Sequence, residues 1–85
     1  MDRQIAEAID REIAWGNAKW PEVKSLGDVL LILEDEVREA KLDYIKGRRA
    51  ACLTELLQCA AVVVNAIHQH GVRERPEVMS EEEAL

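Results

Sequence analysis

Phenylalanine is missing from this chain, and aromatic residues make up only 4% of it. Any core must therefore be aliphatic. Proline occurs twice, and with abundant alanine, leucine and glutamate this points to an all-α chain. The two cysteines, Cys52 and Cys59, lie seven apart on one predicted helix, about 10 Å along its axis. That exceeds the reach of a disulfide, and no CxxC or Cys/His spacing accompanies them, so they are expected to be thiols in a reducing compartment. Positive charge is also scarce. The net charge is -6 with no basic face, which argues against nucleic-acid binding but leaves a small anionic substrate open, because a metal ion can reverse the local field.

Long uninterrupted apolar runs are absent too. The longest candidate, Ala50 to Ile67, is broken by Thr54, Glu55, Gln58 and Asn65, and a carboxylate in lipid is costly. The first residues are polar and helical, not a basic start followed by an apolar run, so no signal peptide is expected. A cytoplasmic protein with a buried helix is the expectation. The 85 residues suffice for one small domain, whose limited core makes oligomerisation reasonable.

What the sequence does contain is helical periodicity. Asp2 can cap a first helix running to Trp15, with Ile5, Ala6, Ile9 and Ile13 on one face and Gly16 as the stop. A loop from Asn17 to Lys24 follows. Ser25, with Asp28 three residues on, caps a second helix running to Lys46 and ending at Gly47. The third runs from about Arg49 to His70 and stops at Gly71. Beyond it, residues 76–85 form a polar tail in which Ser80 and Glu83 could cap one last turn. The second and third helices make an antiparallel hairpin. The third is apolar around most of its circumference, so a second subunit is expected to complete the bundle.

Acids interrupt this pattern in "LILEDEVREAK" (Leu31 to Lys41). With Leu33 at the centre of the apolar face, and about 100° per residue, Glu36 falls near -60° and Glu39 near -120°. With Leu56 at the centre of the third helix, Glu55 falls near -100°. Each helix thus offers an i, i+3 polar pair at the edge of its apolar stripe: Glu36 with Glu39, and Glu55 with Gln58. Such acids can lay their stems along apolar surface and keep their heads in water. Converging instead, they would repel, and a hard divalent cation would relieve both the repulsion and the desolvation.

The stretch "DEVRE" (Asp35 to Glu39), followed by "ELLQCAAV" (Glu55 to Val62), resembles the MazG-like all-α nucleotide pyrophosphohydrolases, whose motif is E-E-x-x-E, a gap, then E-x-x-D. The upstream "DREIAWGNAKW" is similar to the opening of short bacterial and phage members, and the likeness spans about Arg3 to Gln69. It implies a helical bundle of three main helices, residues 1–75, completed by dimerisation into the family's four-helix-bundle type. It also implies a homodimer or dimer of dimers, with Mg²⁺ (or Mn²⁺ as substitute) held by Glu36, Glu39, Glu55 and Gln58. The catalytic acids would be Glu36, Glu39 and Asp35. The implied reaction cleaves a nucleoside triphosphate between its α and β phosphates, giving monophosphate and pyrophosphate. Two positions depart from the motif. Asp35 stands where it has Glu, and Gln58 where it has Asp; an amide oxygen can ligate a hard cation but brings no charge and cannot act as a base.

Trp15 and Trp20 could stack on a base, as the resemblance suggests, or plug the end of a bundle. Lys19, Lys24, Lys46, Arg48 and Arg49 are candidate phosphate contacts. His68 and His70, two apart, point in different directions and are expected to be solvated or capping; Tyr44 is expected at the bundle edge. The competing class is a non-catalytic binding or interaction module that keeps the fold without a working metal site, a reading that Gln58 favours.

Overall fold

The computed structural model describes residues 1–75; the expected tail, 76–85, and its Ser80 cap lie outside the described residues. Three helices make up the fold, with no strand among the described residues: α1 (Arg3–Lys19), α2 (Leu26–Ile45) and α3 (Arg49–His70). The caps fall where the sequence puts them. Asp2 accepts from the Ile5 N–H and Ser25 from the Asp28 N–H, both at 3.1 Å, each quieting one orphan donor of a first turn. Gly47 closes α2 at φ 73°, a left-handed conformation that a Cβ would strain, and so turns the chain tightly into α3.

The stop of α1 differs from expectation. Gly16 does not end the helix, which runs one turn further to Lys19. Pro21 does. The residue before a proline is driven out of the α region, and Trp20 accordingly sits at φ -133°, ψ 82°. That extra turn puts Asn17 on a helix rather than in a loop.

Helix α3 packs against both α1 and α2, which do not pack on each other. The result is an antiparallel α2–α3 hairpin with α1 on one flank of α3, leaving a cleft between α1 and α2 floored by α3. Two contacts fix its far end. Asn17 and Asn65 exchange a reciprocal pair of amide hydrogen bonds, 3.4 and 3.1 Å, across α1 and α3. His70 donates through Nε2 to the Lys24 carbonyl at 2.7 Å, tying the α1–α2 loop to the end of α3.

The buried side chains among the described residues are few and mostly small: Ile9, Val29, Ala40, Ala61 and Ala66. Neither expected helix face is centred where hydropathy puts it. On α2 the covered set is Val29, Ile32, Leu33, Glu36, Ala40 and Asp43, with Glu36 near its middle, while Leu30 is 59% exposed. On α3, Leu56 is 50% exposed, and Leu53, Val63 and Ile67 are exposed beside it. Each leucine-rich stripe is turned roughly 90° in the same sense from the α2–α3 contact. On antiparallel helices that brings both to one side of the hairpin, opposite the cleft, where nothing among the described residues covers them. Helix α3 is long and apolar enough to cross a membrane by length and composition alone, with only 6% of its most apolar window buried.

The glycines give a paired check. A Cβ on Gly16 would meet nothing within 4 Å, so Gly16→Ala should raise stability by roughly 0.5–1 kcal/mol through helix propensity. Gly47→Ala should lower it by about 1 kcal/mol at its positive φ. Urea unfolding of both variants measures the two signs, and a destabilised Gly16→Ala would contradict the helical path through residue 16.

Candidate metal centre

The hairpin register creates the site. Glu36 and Glu39 are three apart on α2, Glu55 and Gln58 three apart on α3, and the helices run oppositely. Glu36 therefore stands across from Gln58, and Glu39 across from Glu55. One oxygen from each of Glu36, Glu39 and Glu55 lies within 4.8 Å of the others; Glu36 and Glu55 are half-buried, and Glu39 is exposed at the mouth.

Gln58 completes the cluster. With its amide nitrogen toward the acids it donates to Glu36 Oε2 at 2.8 Å and to Glu55 Oε2 at 2.9 Å. With its carbonyl oxygen there instead, three acceptors face one another, a contact that calls for a cation between them. One rotation of the amide thus converts a clamp on two carboxylates into a fourth oxygen ligand.

The electrostatics reflect the crowding. Glu39 is raised above the usual carboxylate range, first by the charge of Glu55 and then by the hydrogen bond between the two, with lesser contributions from burial, Asp35 and Asp43. Glu55 is also raised, first by its hydrogen bond with Glu36, then by burial and by the charge of Glu36. Cys59, one residue past Gln58, is pushed up by burial and by the charges of Glu36 and Glu55. Its thiol therefore stays protonated, and soft-metal ligation is disfavoured there. The donor set is one of hard oxygens, which fits Mg²⁺, Mn²⁺ or Ca²⁺. Opposite ligands of Mg²⁺ are about 4.2 Å apart, so small side-chain rotations would draw the acids into its shell.

The other sequence candidates divide. Asp35 is outside the cluster, its Oδ1 taking a hydrogen bond from Arg38 at 3.2 Å on the exposed side of α2. Lys46 and Arg49 lie at the α2–α3 turn and do not reach the cleft, and Arg48 there lies 3.9 Å from Asp43. Trp15 and Trp20 do line the cleft, at the end away from the acids, as does half-buried Lys24. They do not plug a core: Trp15 is 59% exposed. Their rings meet edge to face at 6.0 Å, and Lys19 Nζ lies 4.9 Å from one centroid and 4.8 Å from the other. His68 and Tyr44 are exposed, as expected.

The cleft itself holds about 580 Å³, with Glu36 and Gln58 at one end and the tryptophans at the other, a volume suited to a small molecule. Two groups at the site were not singled out by sequence reasoning. Asp43, four after Glu39, extends the acidic row; its side chain is 17% exposed, and its i, i+4 spacing was the available signal. Asn17 and Asn65 line the cleft as a pair, and no spacing within one helix could have found them. Comparison with protein families, curated proteins and solved structures finds no match for this chain.

Both raised acids hold protons more tightly in the folded than in the unfolded state. Stability of the metal-free protein should therefore fall as pH rises from the usual carboxylate range through their raised values, and the loss should be absent in acid. Glu55→Gln should flatten that slope. It should also raise the metal-free Tm at neutral pH by roughly 2–4 °C, for about 0.5 kcal/mol of relieved repulsion. Thermal unfolding across pH 4 to 8 measures both; a lower Tm for the variant would show that the acids are not crowded.

Proposed function

We propose that the chain is a Mg²⁺-dependent nucleotide pyrophosphohydrolase of the MazG-like type, cleaving (d)NTP to (d)NMP and pyrophosphate in the cytoplasm. The observation that supports this best is the convergence of Glu36, Glu39 and Glu55 at the end of a cleft large enough for a nucleotide. Glu36 and Glu55, between the two helices, and Glu39 beside them would hold the ion, with the Gln58 carbonyl as a neutral fourth ligand. Mg²⁺, or Mn²⁺ in its place, would supply charge neutralisation at the phosphates and a more acidic water. Glu39, exposed and holding its proton more readily than an ordinary carboxylate, would orient the attacking water and take its proton. Lys24 offers a positive charge within the cleft. Attack at the α phosphorus would form the new P–O bond, break the α–β bridge and release pyrophosphate.

The outward stripe of Leu30, Val37, Leu56 and Val63 supports a homodimer, or a dimer of dimers, as the working form. A thin alanine-rich core, an uncovered apolar face and the aqueous cleft opposite it fit an assembly that pairs hairpins and leaves the acids open. Leu56→Glu should shift the protein to monomer in analytical ultracentrifugation and lower its Tm. A monomeric wild-type protein would contradict the pairing.

A second reading has a specific observation behind it. With its amide nitrogen turned to the acids, Gln58 satisfies two of the three without any metal, an arrangement suited to a nucleotide-binding or interaction module that has no catalytic metal. Pyrophosphate release over common and modified nucleoside triphosphates with Mg²⁺ decides between the two. The enzyme reading predicts turnover abolished by Glu36→Gln, and Mn²⁺ affinity raised about tenfold by the added charge of Gln58→Asp. Nucleotide binding with no pyrophosphate from any substrate would favour the module.

A further inference from the structure

The Asn17–Asn65 pair lies along the cleft between the acids and the tryptophan end, and packing alone gives no reason for two amides there. Both are half-buried and both line the cleft. Each donates its Nδ2 to the other's Oδ1, at 3.4 and 3.1 Å, so the two carboxamides form a closed ring of two hydrogen bonds. Holding α1 against α3 does not need this. Two apolar residues of the same shape would fill the contact with no polar group to desolvate. Gln69, one turn past Asn65, adds a third carboxamide to the same wall, and the rings of Trp15 and Trp20 border it.

We propose that this amide pair is a recognition site for a planar heterocycle presenting an adjacent donor and acceptor, as a nucleobase edge does, and that it determines base preference. A carboxamide offers one acceptor and two donors in a plane and pairs with a base edge through two parallel hydrogen bonds. The amides already make that ring with each other, so a base edge can take the place of one amide-like partner, and the displaced carboxamide, half-buried at the open cleft, turns to water or to a second edge of the ligand. An indole face alongside supplies stacking that every base accepts. Lys19, poised over both rings, is displaced toward solvent or toward the ligand's charge. Asn65 lies seven residues from Gln58 on α3, about 10 Å along the axis, a separation comparable to that between base and terminal phosphates in an extended nucleotide.

The inference rests on the nucleotide reading for its choice of ligand but not on the metal or on catalysis. The test therefore uses free nucleosides, without phosphate or metal, titrated into the intact wild-type protein to millimolar concentration. Tryptophan fluorescence and the side-chain amide resonances of Asn17 and Asn65 are followed together. Saturable quenching with movement of both amide resonances is expected. Asn65→Asp, which keeps the acceptors and loses the donor, should change the ratio of affinities between the tightest and weakest base at least threefold; Asn17→Ala should weaken all bases. Nucleosides that leave both amide resonances unmoved overturn the proposal, and that result needs no variant to fold. So does binding whose base preference neither substitution alters. A parallel titration with tripolyphosphate and Mn²⁺ separates the two ideas. Tripolyphosphate binding without nucleoside binding sinks this inference and spares the metal site, whereas nucleoside binding without pyrophosphate release does the reverse.

Discussion

Three carboxylates meeting at one level of a helical hairpin are held there against their own repulsion, and the rest of the molecule is organised around that fact. Oxygens within 4.8 Å of one another raise the proton affinity of Glu39 and Glu55. Only a proton, a donor or a cation can offset such crowding. The protein supplies a donor in Gln58, and the amide can be turned to supply an oxygen instead. One rotation of that side chain exchanges a donor for an acceptor at the acids without moving the backbone.

The cost of placing acids at the helix contact shows in the core. Among the described residues three of the five buried side chains are alanines, because α2 and α3 meet largely through small residues and polar heads, with Leu33 half-buried beside them. Leu30, Val37, Leu53, Leu56 and Val63 face out on the opposite side of the hairpin. One face is therefore electrostatic and open to water, the other apolar and uncovered among the described residues. A second copy on the apolar face would add stability without touching the chemistry in the cleft, and for a domain of this size that added burial is substantial.

Much of the fold was legible from local signals. Asp2, Ser25 with Asp28, Gly47 and Gly71 mark helix ends because each meets a backbone need that few residues satisfy. The end of α1 was misread at Gly16, since a glycine is tolerated inside a helix while Pro21 acts one residue upstream through Trp20. The face centres were misjudged for a different reason. Hydropathy records which residues avoid water, not which partner they avoid it against, so Leu56 marks the outward stripe and Leu33 the margin of the hairpin contact rather than its centre. That error placed Glu36 at an edge when it sits mid-contact. The convergence of Glu36, Glu39 and Glu55 was readable from their i, i+3 spacing on antiparallel helices, whereas Asn17 and Asn65, 48 residues apart, meet only through tertiary packing. Nothing in the residues alone separated Asp35 from its neighbours, and its turn toward Arg38 follows from helix phase.

The most direct measurement is paramagnetic. Substoichiometric Mn²⁺ added to isotopically labelled protein should first broaden the resonances of Glu36, Glu39, Glu55 and Gln58, leaving Glu7, Asp10 and Glu22 sharp until much higher concentration. Broadening spread evenly over the acidic surface, with no preference for those four, would show that the cluster holds no cation.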